Sequence, residues 1–158
     1  MPNNRTLLTV LGLICYGLIG VALYLQHVKG LLPCPLCVIQ RYAFIFAGTF
    51  ALLAAWTRPA KVWNALALVA ALVGLGYVGK HLYVLAHPGF SCGIDPMETF
   101  LNKIPTATGM PWLFQADGLC ENATEGVLGL SIPQWSAVWF VIVTITLLYT
   151  LLRRRTTR

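Results

Sequence analysis

Apolar side chains fall in four long runs along the chain, at about 7–28, 38–56, 62–85 and 135–152, separated by stretches rich in proline, glycine and polar residues. A helix rises about 1.5 Å per residue, so about 20 residues cross a hydrocarbon core of about 30 Å, and each run is within tolerance of that length. The pattern predicts an all-α membrane protein, a single four-span domain over 1–158. Connections are expected at about 29–37, at the short turn from Arg58 to Lys61, and at about 86–134. The first run exceeds the apolar core of about 7–15 residues typical of a signal peptide, with no small-residue cleavage pattern after it, so it is expected to persist as a helix. Gly12, Gly17, Gly20 and Ala22 in the first span, and Gly74, Gly76 and Gly79 in the third, are residues that let membrane helices approach closely.

The last connection is far longer than two helix ends need, which argues that it has a task. Within it, Asp95-Pro96-Met97-Glu98 reads as a capped helix start, with Met97, Phe100, Leu101 and Ile104 at helical spacing before Pro105. This stretch is either a short amphipathic helix on the bilayer surface or a loop packed on the helix ends. Met110 to Phe114 adds an apolar patch, and Trp135 and Trp139 are expected as aromatic belt residues at the start of the last span.

Composition agrees: 58% of the 158 residues are hydrophobic and 10% charged, more apolar side chain than a soluble domain of this size would hide. The net charge of +6 forms no basic stripe, which excludes a nucleic-acid reading. Arg5, the Arg58 to Lys61 turn, Arg153 to Arg155 and Arg158 would share one face, and the positive-inside rule makes that face, and both termini, cytoplasmic. All five carboxylates lie in the long connection, on the opposite side.

This topology sorts the cysteines. Cys34 and Cys37 fall in the first outward loop, Cys92 and Cys120 in the second, and Cys15 within a span, where a buried apolar role is expected. Four outward cysteines in an oxidising compartment favour disulfides, whereas a cytoplasmic position would favour zinc. Glycine and proline around Cys92 are expected to leave it exposed and mobile.

Cys34-Pro35-Leu36-Cys37 can close a small disulfide, share a metal or act as a structural staple. Pro33 and Pro35 stiffen it, and Cys37 is expected in the first turn of the second helix, where free amides and the helix dipole favour a thiolate. Arg41, four residues on, shares a helix face with Cys37. A cation near a helix N-terminus calls for a nearby anion, either a lipid phosphate or a thiolate together with the oxygen of a bound electron acceptor. Lys80 and His81 reach the same outer layer; they are interfacial anchors or further members of that cofactor site. Gln26, His27 and Lys29 read as interfacial anchors.

Cys34-Pro-Leu-Cys37 with Arg41, Cys92 and Cys120 in a long second outward loop, Leu128-Gly129-Leu130 and Pro133-Gln134-Trp135 together resemble the bacterial disulfide bond formation protein B (DsbB) family, over nearly the whole chain. The resemblance implies a four-helix bundle of the inner membrane that reoxidises a periplasmic, DsbA-like thioredoxin-fold dithiol protein. It further implies that two electrons pass to a membrane quinone, ubiquinone or menaquinone, with no metal. Cys34 and Cys37 match the quinone-coupled pair, Cys92 and Cys120 the pair that meets the partner, and Arg41 the arginine near the quinone. The alternative is a four-span protein whose outward cysteines form a structural zinc site or structural disulfides. Against zinc, the 28 positions between Cys92 and Cys120 lack the close spacing of paired zinc ligands.

Overall fold

The computed structural model describes residues 3–87, 96–118, 126–127 and 129–153. Four long helices, α1 (Asn4–Lys29), α2 (Pro35–Trp56), α3 (Ala60–Ala86) and, after the long connection, α7 (Ile132–Leu152), are each long and apolar enough to cross a membrane. That connection carries three short helices, α4 (Pro96–Lys103), α5 (Pro105–Gly109) and α6 (Pro111–Phe114). It ends in two-residue strands, β1 (Gly126–Val127) and β2 (Leu130–Ser131), paired antiparallel. The protein is an all-α four-helix membrane bundle.

The helices start earlier than the apolar runs because their caps are polar or proline-bearing. Cys34 is the N-cap of α2 with Pro35 at its first position, where a missing amide costs nothing. Gln134 Oε1 accepts from the Ser131 amide at 2.8 Å at the head of α7. At the other end of α1, Gly30 has φ 70°, the left-handed conformation that closes a helix and that a side chain would disfavour.

Large apolar side chains such as Leu13, Val21, Val69 and Ile145 are more than half exposed. In water this would be a severe liability; against lipid it costs nothing. The interior is built on small residues: Ala43, Ala47, Ala51 and Ala54 of α2 and Ala67 and Ala71 of α3 are buried. Since lipid is as apolar as leucine, such helices associate by close van der Waals contact, which small side chains permit. Gly74 lies directly against Phe140 of α7, whose ring stacks on Phe44 at 3.9 Å. Gly17, Gly20, Gly76 and Gly79, expected to serve the same purpose, have no atom within 4 Å of where a Cβ would lie among the described residues. Cys15 is buried, as expected, beside Gly48.

α2 packs extensively on both α1 and α3, and α3 on α7, whereas α1 and α7 touch far less. The bundle is therefore open along one seam, between α1 and α7, with α2 forming the floor.

The segment 96–118 is docked on the bundle. Ala107, Phe114 and Ala116 form a buried cluster with Val38, and Tyr42 stacks on Phe114 at 4.3 Å while its hydroxyl bonds to that of Thr106. Both sequence alternatives hold in part: α4 is amphipathic, with Phe100 67% exposed and Leu101 buried, and the segment after it packs on the N-terminal end of α2. Pro105 ends α4 and opens α5.

Candidate functional site

A cleft of about 740 Å³ occupies the open seam. Its walls are apolar, with Leu18, Ile19, Leu25 and Phe44 among them, and its polar end holds Cys37, Gln40 and Arg41. The Leu31–Pro33 connection and Asp117–Gly118 close that end.

Helix geometry explains why Cys37 and Arg41 meet. They are one turn apart on α2 and both point into the seam. Arg41 is only 6% exposed. Its guanidinium donates to Gln26 Oε1 at 2.8 Å and to the Leu113 carbonyl at 2.7 Å, and Gln26 in turn donates to the Trp112 carbonyl at 3.2 Å. Both hydrogen-bond partners of Arg41 are neutral oxygens, so among the described residues its charge is solvated by dipoles and meets no carboxylate. A buried cation held in this way favours an anion or a developing negative charge in the cleft.

The two sulfurs differ sharply in surroundings. Cys34 is 1% exposed and Cys37 is partly exposed along the cleft. Both are free thiols, with Cys34 Sγ donating to Cys37 Sγ at 2.9 Å and accepting from the Cys37 amide at 3.3 Å. That hydrogen bond to Cys37, together with burial, pushes the Cys34 thiol well above the ordinary range. The pair is arranged to hold one proton on Cys34 and to leave Cys37 Sγ facing the cavity.

His81 is fully buried on α3, with Nε2 3.7 Å from Cys34 Sγ and Nδ1 3.2 Å from Gln40 Nε2. A carboxamide nitrogen can only donate, so Nδ1 is the acceptor and, on this hydrogen-bond assignment, the imidazole proton sits on Nε2, towards Cys34. His81 thus stands behind the cysteine pair and does not line the cleft. Lys80 is exposed and also absent from the lining. The two residues expected at one cofactor site are therefore separated, because adjacent helix positions point about 100° apart.

Three participants, Gln26, Trp135 and Trp139, were read from sequence in other roles, and a fourth, Gln40, was given none. Gln26, expected as an interfacial anchor, orients Arg41 from across the α1–α2 contact. Trp135 and Trp139, expected in an aromatic belt, line the cleft from α7. Gln40 carries the carboxamide that orients His81. The one sequence signal available for Gln40 was a polar residue beside Arg41 in an apolar run. Cys92 and Cys120 lie outside the described residues.

A cysteine pair beside a buried arginine, at one end of an apolar-walled cleft between membrane helices, defines a multi-pass membrane protein with a cysteine-based site. The family model described as "Disulfide bond formation protein DsbB" matches residues 4–150. Disulfide bond formation protein B of Herminiimonas arsenicoxydans is 50% identical over 157 residues, covering 98% of this chain and 99% of that protein. The protein of the same name from Ralstonia nicotianae is 46% identical over 153 residues, 96% of each chain. Disulfide bond formation protein B 1 of Pseudomonas putida is 43% identical over 145 residues, 90% of this chain and 86% of that one. The chain belongs to the DsbB family and acts in disulfide bond formation.

Proposed function

We propose that the protein is a thiol:quinone oxidoreductase of the bacterial inner membrane, which reoxidises a periplasmic thioredoxin-fold dithiol protein of the DsbA type and delivers the electrons to membrane quinone. The observation that carries this reading is the placing of Cys37 and Arg41 together at the polar end of an apolar cleft. A cofactor with a polar ring and a long apolar tail needs a site of this kind, and about 740 Å³ is within the range of small-molecule pockets, about 300–1,000 Å³. The residues fit the group: apolar walls for the tail, and a buried cation held by neutral oxygens for a ring oxygen. When bound, the quinone supplies the two-electron acceptor, ubiquinone or menaquinone.

The chain's own residues then have these roles. Cys92 and Cys120, assigned by the resemblance, meet the partner's thiolate and pass the disulfide exchange inward to Cys34 and Cys37. Cys37 presents its sulfur to the cleft, and Arg41 stabilises negative charge there. His81, fixed in its tautomer by Gln40, directs its Nε2–H at the Cys34 sulfur and so helps to orient it. Arg5, Arg58, Lys61 and Arg153 lie at the end of the bundle away from the cleft's polar end, which supports cytoplasmic termini and outward cysteines.

The test is purified protein in lipid, mixed with a reduced periplasmic thioredoxin-fold dithiol protein and ubiquinone, with quinone absorbance followed. Consumption that needs all four outward cysteines is the expected result; none with all four intact rejects the reading. A metal reading has one observation in its favour: donor atoms of Cys34, Cys37 and His81 lie within 4.8 Å of one another. Stoichiometric zinc in the purified, reduced protein, with no quinone consumption, would favour it.

A further inference from the structure

Packing of α3 against the head of α2 brings His81 to the cysteine pair, 47 positions after Cys34. Two sulfurs and one imidazole nitrogen then lie within 4.8 Å of one another. His81 and Cys34 are buried, and Cys37 alone of the three lines the cleft. Zinc bonds to sulfur at about 2.3 Å and to nitrogen at about 2.0–2.1 Å, so the donors of a tetrahedral site stand about 3.5–3.8 Å apart. Cys34 Sγ and His81 Nε2 already have that spacing, at 3.7 Å. Cys34 and Cys37 sulfurs are closer, at 2.9 Å, and have to part by about 0.9 Å, which rotation of the partly exposed Cys37 side chain towards the cleft supplies.

Zinc takes the lone pair of Nε2, so the imidazole proton moves to Nδ1. Gln40 serves that tautomer too: its carboxamide, turned over, offers Oε1 in place of Nε2, and Nδ1–H donates to it. Metal-bound histidines are held through their second nitrogen by a partner of this kind. Two thiolates cancel the charge of the ion, so the assembly adds no net charge beside Arg41, and three protein ligands leave the fourth position to a water or an anion. We propose that the reduced cysteine pair and His81 form a binding site for Zn²⁺ that holds the pair as a dithiolate and stops its reoxidation. Zn²⁺ displaces the two thiol protons and no electron moves; a chelator and two protons restore the dithiol. Binding stands on the geometry, while the inhibition rests on the relay reading above, in which the Cys37 sulfur faces the cleft unbound.

The measurement uses full-length Cys92→Ser/Cys120→Ser protein in lipid, reduced with a phosphine, freed of reductant under nitrogen, and titrated with Zn²⁺ against a chromophoric chelator. One Zn²⁺ per chain is expected, with a Kd at or below about 1 μM. Cys37→Ser and His81→Ala are each expected to weaken binding at least about 100-fold, and Gln40→Leu about 10- to 100-fold. Co²⁺ in place of Zn²⁺ is expected to give tetrahedral d–d bands, sulfur-to-cobalt charge transfer and a paramagnetically shifted imidazole N–H proton. That proton reports on His81 without any substitution, so the site remains testable if His81→Ala does not fold. Absence of binding, equally tight binding by folded His81→Ala protein, or a cobalt form without the shifted proton overturns the proposal. One equivalent of Zn²⁺ is expected to stop the single oxidation of the reduced pair by added ubiquinone, and excess chelator to restore it; oxidation undiminished by bound Zn²⁺ also overturns the proposal. Failure of ubiquinone to oxidise the chelator-treated protein rejects the relay, while the titration still reports on the site.

Discussion

Arg41 is an expensive residue to keep where it is. A guanidinium at 6% exposure beside membrane helices needs every available dipole, and it uses Gln26 Oε1 and the Leu113 carbonyl. Charge-assisted hydrogen bonds are worth about 1.5–3 kcal/mol, so Arg41→Ala is expected to raise the apparent KM for quinone about 10- to 100-fold. The KM for the protein dithiol should change by less than about twofold, since Arg41 faces the cleft. Steady-state kinetics varying each substrate separately checks this, and equal losses for both substrates would reduce Arg41 to an anchor. The cysteines give a second expectation at this scale. Cys34 is buried and its thiol is pushed upward, so it stays protonated as pH rises through the range where an ordinary thiol ionises. Iodoacetamide added to reduced protein near pH 8 should therefore label Cys37 well ahead of Cys34, as peptide mass spectrometry would show.

At the level of helices, the arrangement turns on which contacts are close. Gly74 has no room for a methyl group: its Cβ would overlap the Phe140 ring and press on Ala43. Phe140 has no easy retreat because it is stacked on Phe44. Gly74→Ala is expected to destabilise the bundle by about 1–3 kcal/mol, the usual range for overpacking. Gly76→Ala, two positions on and open to lipid, should be neutral or slightly stabilising. Thermal unfolding of the two variants in the same detergent makes the comparison, and a neutral Gly74→Ala would show that the α3–α7 contact is looser than described. The same tight α2–α3 and α3–α7 packing leaves the α1–α7 seam open. Cleft and core are thus two outcomes of one packing pattern, with small residues where helices close and larger ones, Phe44, Trp135 and Trp139, where they part.

Across the whole molecule, the cleft joins elements far apart in the chain: α1, the first connection, α2, residues 117–118 and α7. Because Trp135 and Trp139 line it, quinone binding is expected to quench tryptophan fluorescence in a saturable way. Trp135→Phe with Trp139→Phe should remove most of that quenching while leaving binding detectable by turnover. Quenching that persists in the double variant would place the bound ring elsewhere. The long connection is tied to the first across the same mouth, where the Asp117 and Gly118 amides both donate to the Pro33 carbonyl, at 3.2 and 3.0 Å.

Four spans, the position of Cys34 and Cys37 at the head of the second span, the shared helix face of Cys37 and Arg41, and the family were all legible in the linear chain. Each depends on local quantities: apolar run length, residue spacing within one helix, and motif order. The partners of those residues were not legible, because they come from other helices. Gln26 reaching Arg41, His81 standing behind Cys34 while Lys80 faces outward, and two belt-like tryptophans turned into a cleft all depend on helix rotation and on which pairs pack closely. Periodicity says little about rotation when a span is apolar all round, so only the packing of small residues in three dimensions decided which seam closed and which became the site.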